Sequence, residues 1–328
     1  MSTPQTNAPQ TDWETWNWRN SLSADERREL LEVDNLHGAL SLGLNWALVF
    51  GAMALVAWAP NPLAIVVALF VIGARQLGFA ILMHEAAHRT LFRSRGLNDW
   101  AGNWLAAYPI WAEVEPYRRY HLVHHVHTGT EKDPDLGLIT PFPITRASFR
   151  RKVIRDLSGQ TGIKQAKAVF LRDIGHGRGR SQRDQGMSRG EQADVGWHKL
   201  VPVAATNAVL LALLWLVGQP ALYLLWVVAW LTTNRLFTRI RSIAEHALTP
   251  NAADPLNNTR TTLASPWERL FIAPNRVNYH LEHHMIMTVP HYKLPRFHAL
   301  LRERGVLDHA CVAHGYLGLL KQAASRPD

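Results

Sequence analysis

Residues 62–88 read PLAIVVALFVIGARQLGFAILMHEAAH, and this stretch decides the fold class. Residues 62–83 are apolar apart from Arg75 and Gln76. A helix needs roughly 20 apolar residues to cross a bilayer, so this segment predicts a membrane span. His84 and His88 follow directly, and four positions apart they share one face of a helix. The stretch therefore predicts a membrane helix that carries histidines at one end.

Three further apolar blocks predict three more spans, at 39–59, 200–217 and 220–238. The blocks pair across short turns at 60–62 and 218–220, which predicts two helical hairpins. The fourth block is the least uniform, because Asn234 and Arg235 lie near its end. Four buried helices of a soluble protein are the alternative, but two charge-poor hairpins of this length are uncommon in soluble cores.

The charge distribution predicts an orientation in the membrane. Net charge is +9, the pI is near 10, and the two short turns contain no Lys or Arg. The positive-inside rule then places both termini and the central region in the cytoplasm, at the inner membrane if the protein is bacterial. The single cysteine, Cys311, excludes a disulfide within the chain and a cysteine-ligated iron–sulfur cluster.

We therefore predict an all-α integral membrane protein with four transmembrane helices in two hairpins. A cytoplasmic helical cap, 84–199 and 239–320, completes a single domain over 36–320, and 1–35 and 321–328 are tails. Within the cap, 144–174 predicts amphipathic helix on the membrane surface. The Gly- and Arg-rich segment 175–192 predicts a mobile loop near lipid headgroups rather than a nucleic-acid site.

Three more histidine motifs accompany HEAAH: HLVHH at 121–125, RSIAEHA at 241–247 and HLEHH at 280–284. Histidines three or four positions apart on a helix can face one ion. His124 and His125 are neighbours and diverge by about 100°, so they suit two different ions. One zinc needs only three or four ligands, and eight or nine imidazoles therefore suggest two metal ions. All four motifs come from segments predicted to lie on the same side of the membrane.

HEAAH, HLVHH and HLEHH, in this order around four spans, resemble the membrane fatty acid desaturase superfamily. The segments 124–137 and 280–301 resemble its bacterial acyl-lipid branch, and the related carotene ketolases and hydroxylases share the layout. The resemblance covers about residues 35–305. It implies a histidine-bound di-iron centre whose ligands, carried over position by position, are His84, His88, His121, His124, His125, His280, His283 and His284.

Some family members use a further histidine just after the fourth span, and His246 matches that position. An Asn four residues earlier binds a metal-held water in part of the family, and Ser242 stands there in this chain. Other candidates for orienting the ligand imidazoles are Glu85, Asp133, Asp135 and Glu282. His127, His291 and His298 are expected to lie outside the ligand set.

The resemblance implies a reaction that uses two iron ions, with O2 as co-substrate, to introduce a double bond into a fatty acyl chain. The substrate would be an acyl-lipid or acyl-thioester in contact with membrane lipid. The sequence contains no electron-carrying motif, so a separate donor such as a ferredoxin is expected. The basic cytoplasmic face would attract an acidic carrier. No nucleic-acid partner is expected.

Several other functions are compatible with single motifs. Hydroxylation or ketolation of another lipid, such as a carotenoid, would use the same ligands. HEAAH also satisfies the zinc-peptidase pattern HExxH, but that reading leaves both HxxHH motifs unexplained. A bis-histidine haem needs histidines within the spans, where there are none. A non-catalytic metal-binding membrane protein or a transporter is a further alternative, but a transporter would place its ligands at mid-membrane rather than at span ends.

Overall fold

The computed structural model describes residues 18–176 and 195–327. Most of the loop predicted at 175–192, and the first 17 residues of the predicted N-terminal tail, lie outside the described residues. The described chain is mostly helical, as predicted.

The N-terminal helices are α1 (Ala24–Leu31), α2 (Asn35–Trp58) and α3 (Pro62–Ala87). Helices α2 and α3 are both long and apolar enough to cross a membrane, as predicted for 39–59 and 62–83. Each begins at a polar cap: Asp34 Oδ1 accepts from Leu36 N at 3.1 Å, and Asn61 Oδ1 accepts from Ala64 N at 3.0 Å. These side chains satisfy amide groups that have no partner in the first helical turn. Helix α3 continues beyond the predicted span and includes His84.

The central region is helical and lies outside these apolar segments. Its helices are α4 (Arg95–Ala101), α5 (Val114–His127), α6 (Leu136–Ile139), α7 (Arg146–Leu157) and α8 (Gln160–Asp173). Helices α7 and α8 occupy the segment predicted to be amphipathic helix. Gly162 of α8 packs directly on the Leu231 backbone, where a methyl group would lie 2.2 Å from the Leu231 carbonyl oxygen. The central region therefore packs against the end of the last apolar block.

The third predicted span forms, but the fourth is not one continuous helix. Helix α9 (Leu200–Leu216) belongs to the membrane-length apolar segment Trp197–Leu216. The block predicted at 220–238 divides into α10 (Tyr223–Leu231) and α11 (Thr233–His246), with a break at Thr232. Polar side chains account for the break, because Thr233 Oγ1 donates to Leu69 O at 2.6 Å and Asn234 Nδ2 donates to Gly73 O at 3.3 Å.

The C-terminal region contains short elements and departs from the all-α prediction. Strand β1 (Thr261–Leu263) pairs in parallel with β2 (Val312–His314). The helices of this region are α12 (Pro266–Phe271), α13 (His280–Met285), α14 (Leu294–Glu303) and α15 (Tyr316–Ala323). Each strand has only three residues, which is too short for the alternation of side chains to be recognised in the sequence. Thr261 of this pair lies against α13, so the small sheet helps to place the last histidine motif.

Helix α3 is the central element and contacts α2, α5, α10 and α11. Two close crossings need glycine. A methyl group at Gly38 of α2 would lie 2.1 Å from the Leu91 carbonyl oxygen, and one at Gly73 of α3 would lie 2.1 Å from Thr233 Oγ1. Within the predicted N-terminal tail, Leu22, which precedes α1, and Leu30 of α1 join a core with the C-terminal region. The crossings around α3 bring several helix ends to one place.

Candidate metal centre

The ends of four helices bring all nine predicted histidines together. His84 lies in the last turn of α3 and His88 is its C-cap residue. Helix α5 carries the second motif, α13 carries the third, and His246 is the last residue of α11. Side chains from segments far apart in the sequence therefore converge on one buried region.

The histidines form two groups, in each of which the ligand atoms lie within 4.8 Å of one another. We call them the five-histidine group (His84, His88, His121, His125 and His283) and the four-histidine group (His124, His246, His280 and His284). The neighbours His124 and His125 enter different groups, as their divergence on the helix predicted, and so do His283 and His284. His125 and His284 are the partly exposed members, and their rings lie 4.2 Å apart.

The nitrogen–nitrogen distances fit metal coordination. In the five-histidine group, His125 Nε2 lies 2.9 Å from His121 Nε2 and 3.0 Å from His283 Nε2. In the four-histidine group, His280 Nε2 lies 2.8 Å from His246 Nε2 and 3.1 Å from His284 Nε2. A metal–imidazole bond of about 2.1 Å puts neighbouring nitrogens about 3.0 Å apart at a right angle. Both groups have this spacing.

Hydrogen bonding among the imidazoles cannot satisfy these nitrogens. One ring nitrogen carries at most one hydrogen, yet His125 Nε2 and His280 Nε2 each face two others. His84 Nε2 and His88 Nε2 are buried and have no hydrogen-bond partner among the residues that the structure describes. Leaving such an atom unpaired costs about 1–3 kcal/mol, whereas a metal ion would use its lone pair. The donor set therefore fits two transition-metal ions.

The surroundings of the histidines that lie outside the spans favour the neutral imidazole, which is the form that binds metals. Burial lowers the pKa of seven histidines well below the usual range, and repulsion from neighbouring imidazoles adds to it: His88, His121, His125, His246, His280, His283 and His284. At neutral pH protons do not compete for these nitrogens.

Arg118 of α5 fixes the first histidine motif relative to the second. Its Nε donates to Ala87 O at 2.8 Å, and its Nη2 donates to Ala86 O at 3.0 Å. These carbonyls lie in the last turn of α3, where the regular helical hydrogen bonds end. Asn98 Nδ2 also donates to Ala86 O, at 2.9 Å. The side chain that closes α3 therefore comes from the helix that carries HLVHH.

Arg260 fixes the end of α11 in a similar way. Its Nη1 donates to Ala244 O at 2.8 Å and to Ala247 O at 3.0 Å, and its Nη2 donates to Leu248 O at 2.9 Å. The Arg260 amide donates to Glu245 O at 2.9 Å. His246 is therefore held on a helix end whose carbonyls are satisfied by one buried guanidinium.

Two of the predicted orienting carboxylates lie beside His124. Asp133 Oδ1 is 2.8 Å from His124 Nδ1, and both side chains are buried. This bond leaves Nε2 of His124 for a metal. Asp135 Oδ2 is 3.9 Å from the same nitrogen, and its other oxygen accepts from the Tyr120 hydroxyl.

The other predicted carboxylates face histidines outside the two groups. Glu85 Oε2 accepts from the backbone amide of His291 at 3.0 Å and lies 3.3 Å from His291 Nδ1, whereas Glu85 Oε1 is 3.8 Å from His84 Nδ1. Glu282 Oε1 lies 2.6 Å from His298 Nδ1. His291 and His298 are thus buried partners of the motif carboxylates. Ser242 is half-buried, and its side chain makes no hydrogen bond within the described residues.

Sequence reasoning missed Glu245, which is buried directly before His246. Its Oε1 accepts from Arg241 Nε at 2.6 Å, and its Oε2 is 3.7 Å from His280 Nε2. The available signal was the spacing of Arg241 and Glu245, which puts the pair on one helix face.

Comparison with known proteins agrees with this geometry. The family model described as Fatty acid desaturase matches residues 57–316. The chain belongs to the fatty acid desaturase family. A curated relative, dihydrorhizobitoxine desaturase of Bradyrhizobium elkanii, is 28% identical over 303 residues, which cover 86% of this chain and 82% of the relative. The protein is therefore an oxidoreductase of that family, with buried histidine clusters suited to metal binding.

Proposed function

We propose that the protein is a membrane-bound, O2-dependent di-iron desaturase that introduces a double bond into a fatty acyl chain, carried by a lipid or a thioester. The nine histidines in two groups carry this proposal. Family membership supports iron as the metal and an acyl chain as the substrate. The nine histidines of the two groups are proposed as the metal ligands.

The stoichiometry requires an external reductant. Removal of two hydrogens from adjacent methylenes, together with two electrons and two protons from outside, reduces O2 to two waters. Two bound iron ions would supply the oxidising chemistry. The residues of the chain have other tasks: the imidazoles hold the ions, and burial excludes water. The buried carboxylates of Glu85 and Asp133 compensate positive charge in a site of low dielectric constant.

Electrons would come from a separate acidic one-electron carrier such as a ferredoxin. The net charge of +9 supports association with such a protein. We place the histidine groups and both termini on the cytoplasmic side, because the basic residues concentrate in the central region and the tails. His84 and His88 lie at the end of α3 that leads into this basic region.

The geometry disfavours two of the alternative functions. A zinc peptidase uses three protein ligands for one ion, but His84 and His88 belong to a group of five. A transporter would place its ligands at mid-membrane, whereas His84, His88 and His246 lie at helix ends. Hydroxylation or ketolation would use the same ligands, so the product must distinguish these reactions.

Mass spectrometry of lipids from a host with and without the gene tests the proposed reaction. An acyl product that lacks two hydrogens, and that disappears in a His124→Ala variant which still inserts in the membrane, is expected. A product that gains one oxygen would identify a hydroxylase instead. The name of the relative gives dihydrorhizobitoxine as its substrate, so the profile should include small metabolites as well as lipids.

A further inference from the structure

The two groups differ in the number of histidines that they supply. One group offers five imidazoles and the other offers four. Ions of the same kind in the two groups would therefore differ by one protein ligand. Glu245 is a buried acidic side chain beside the smaller group, with 6% of its surface exposed.

The two carboxylate oxygens of Glu245 have separate surroundings. Oε1 accepts from Arg241 Nε at 2.6 Å, one turn earlier in α11. Oε2 lies 3.7 Å from His280 Nε2. That nitrogen also faces His246 Nε2 and His284 Nε2, so it points to the place where the donors of the group converge. Arg241 holds one oxygen and leaves the other directed at the four-histidine group.

The carboxylate is close to this group but outside it. Glu245 is not among the side chains whose donor atoms all lie within 4.8 Å of one another. A direct bond to an ion at the centre of the four imidazoles would need a closer approach. A distance of 3.7 Å from one of the donor nitrogens leaves Oε2 within reach of a water molecule bound beside them.

Hydrogen bonds and an ion pair hold Glu245 in place. Arg260 donates to the carbonyls of Ala244, Ala247 and Leu248, and its amide donates to Glu245 O. The ion pair with Arg241 restricts the side chain as well. Because these contacts already restrict the side chain, it loses little conformational entropy when it accepts a hydrogen bond from a metal-bound water.

We propose that Glu245 accepts a hydrogen bond from a water that fills the non-histidine position of the ion in the four-histidine group. The inference rests on the proposed two-metal centre and is independent of which reaction that centre performs. Ser242, which stands where part of the family has the water-binding Asn, makes no side-chain hydrogen bond within the described residues. Glu245 supplies the acceptor from the opposite end of the same helical turn.

Ferrous-ion titration and Mössbauer spectroscopy of the full-length protein test this role without turnover. Glu245→Gln keeps a side chain of the same shape and should retain two irons, with a changed quadrupole doublet for one of them. Glu245→Ala should weaken binding of one ion by about 10- to 100-fold, as is typical for loss of a partner outside the ligand shell, and leave the other ion unaffected.

Asp156→Asn is the matched control. Asp156 is a buried carboxylate that pairs with Arg239 at 2.5 Å and accepts from Thr161. This variant should destabilise the fold to a similar degree while both doublets and both affinities stay as in the wild type. Unchanged doublets and affinities in both Glu245 variants would overturn the proposal. Equal loss of both irons in both variants would also overturn it, since Glu245 would then support the whole centre. If wild-type protein bound no iron, the proposed function itself would fail.

Discussion

His124 Nδ1 lies 2.8 Å from Asp133 Oδ1, and both side chains are buried. Asp133 Oδ2 also accepts from Gly129 N at 2.8 Å, and Oδ1 accepts from Asp135 N at 2.8 Å. The loop after α5 thus folds around the carboxylate that orients a proposed ligand. The bond fixes both the tautomer and the ring direction of His124.

Asp133→Asn should weaken metal binding in the four-histidine group by about 10- to 100-fold. The amide preserves the shape of the side chain but removes the negative charge behind His124. Metal titration monitored by iron content measures the effect. Asp135→Asn is the control, because its carboxylate is 3.9 Å from the same nitrogen, and it should change affinity less. Equal effects of the two substitutions would remove Asp133 from this role.

Arg118→Gln should lower the thermal stability and loosen both histidine motifs that it connects. The substitution removes the guanidinium from Ala87 O, and an unsatisfied buried carbonyl costs about 1–3 kcal/mol, whereas Ala86 O keeps the bond from Asn98 Nδ2. The midpoint of thermal unfolding in one detergent at one scan rate measures the loss. Arg119→Gln, at the neighbouring and more exposed position, should shift the midpoint less. A larger shift for Arg119→Gln would contradict the account.

Gly38→Ala should disturb the first histidine motif through the backbone. The added methyl group would lie 2.1 Å from Leu91 O, in the segment directly after His88. The Leu91 backbone cannot move aside as a flexible side chain could, so helix α2 must shift to accommodate the methyl group. Gly43→Ala on the same helix has open space within 4 Å and should be neutral. Iron content and the unfolding midpoint are measured for both variants. Equal values for Gly38→Ala and Gly43→Ala would exclude a tight crossing at Gly38.

Much of the fold and of the site could be predicted from the sequence, because two signals are strong: the length of the apolar blocks and the spacing of the histidines. Long apolar blocks predicted α2, α3 and the segment that contains α9, and the spacing of His124 and His125 predicted that these two neighbours would face different ions. The break at Thr232 was not predictable, since it depends on bonds from Thr233 and Asn234 to the α3 backbone. Glu245 was missed for a similar reason, because its partner His280 lies far away in the sequence.

Acidification should destabilise the metal-free protein below about pH 6.5, the ordinary pKa of histidine. Burial lowers the pKa of the buried cap histidines in the folded state, among them His246, His280 and His283. Below pH 6.5 the unfolded chain takes up protons that the folded protein does not, so stability falls as pH falls through that range. Above pH 7 these groups contribute no pH dependence. Unfolding midpoints at pH 8, 7, 6 and 5, with chelator present, measure the trend. A midpoint that rises from pH 7 to pH 5 would contradict the burial of these imidazoles in a neutral state.

Metal content of the purified protein tests the central claim most directly. After expression with sufficient iron, elemental analysis should find about two irons per chain, one for each histidine group. Substitution of His121 and His283 by Ala should remove one of them and leave the four-histidine group loaded. Stoichiometric zinc with no iron, in protein from iron-replete cells, would contradict the di-iron account.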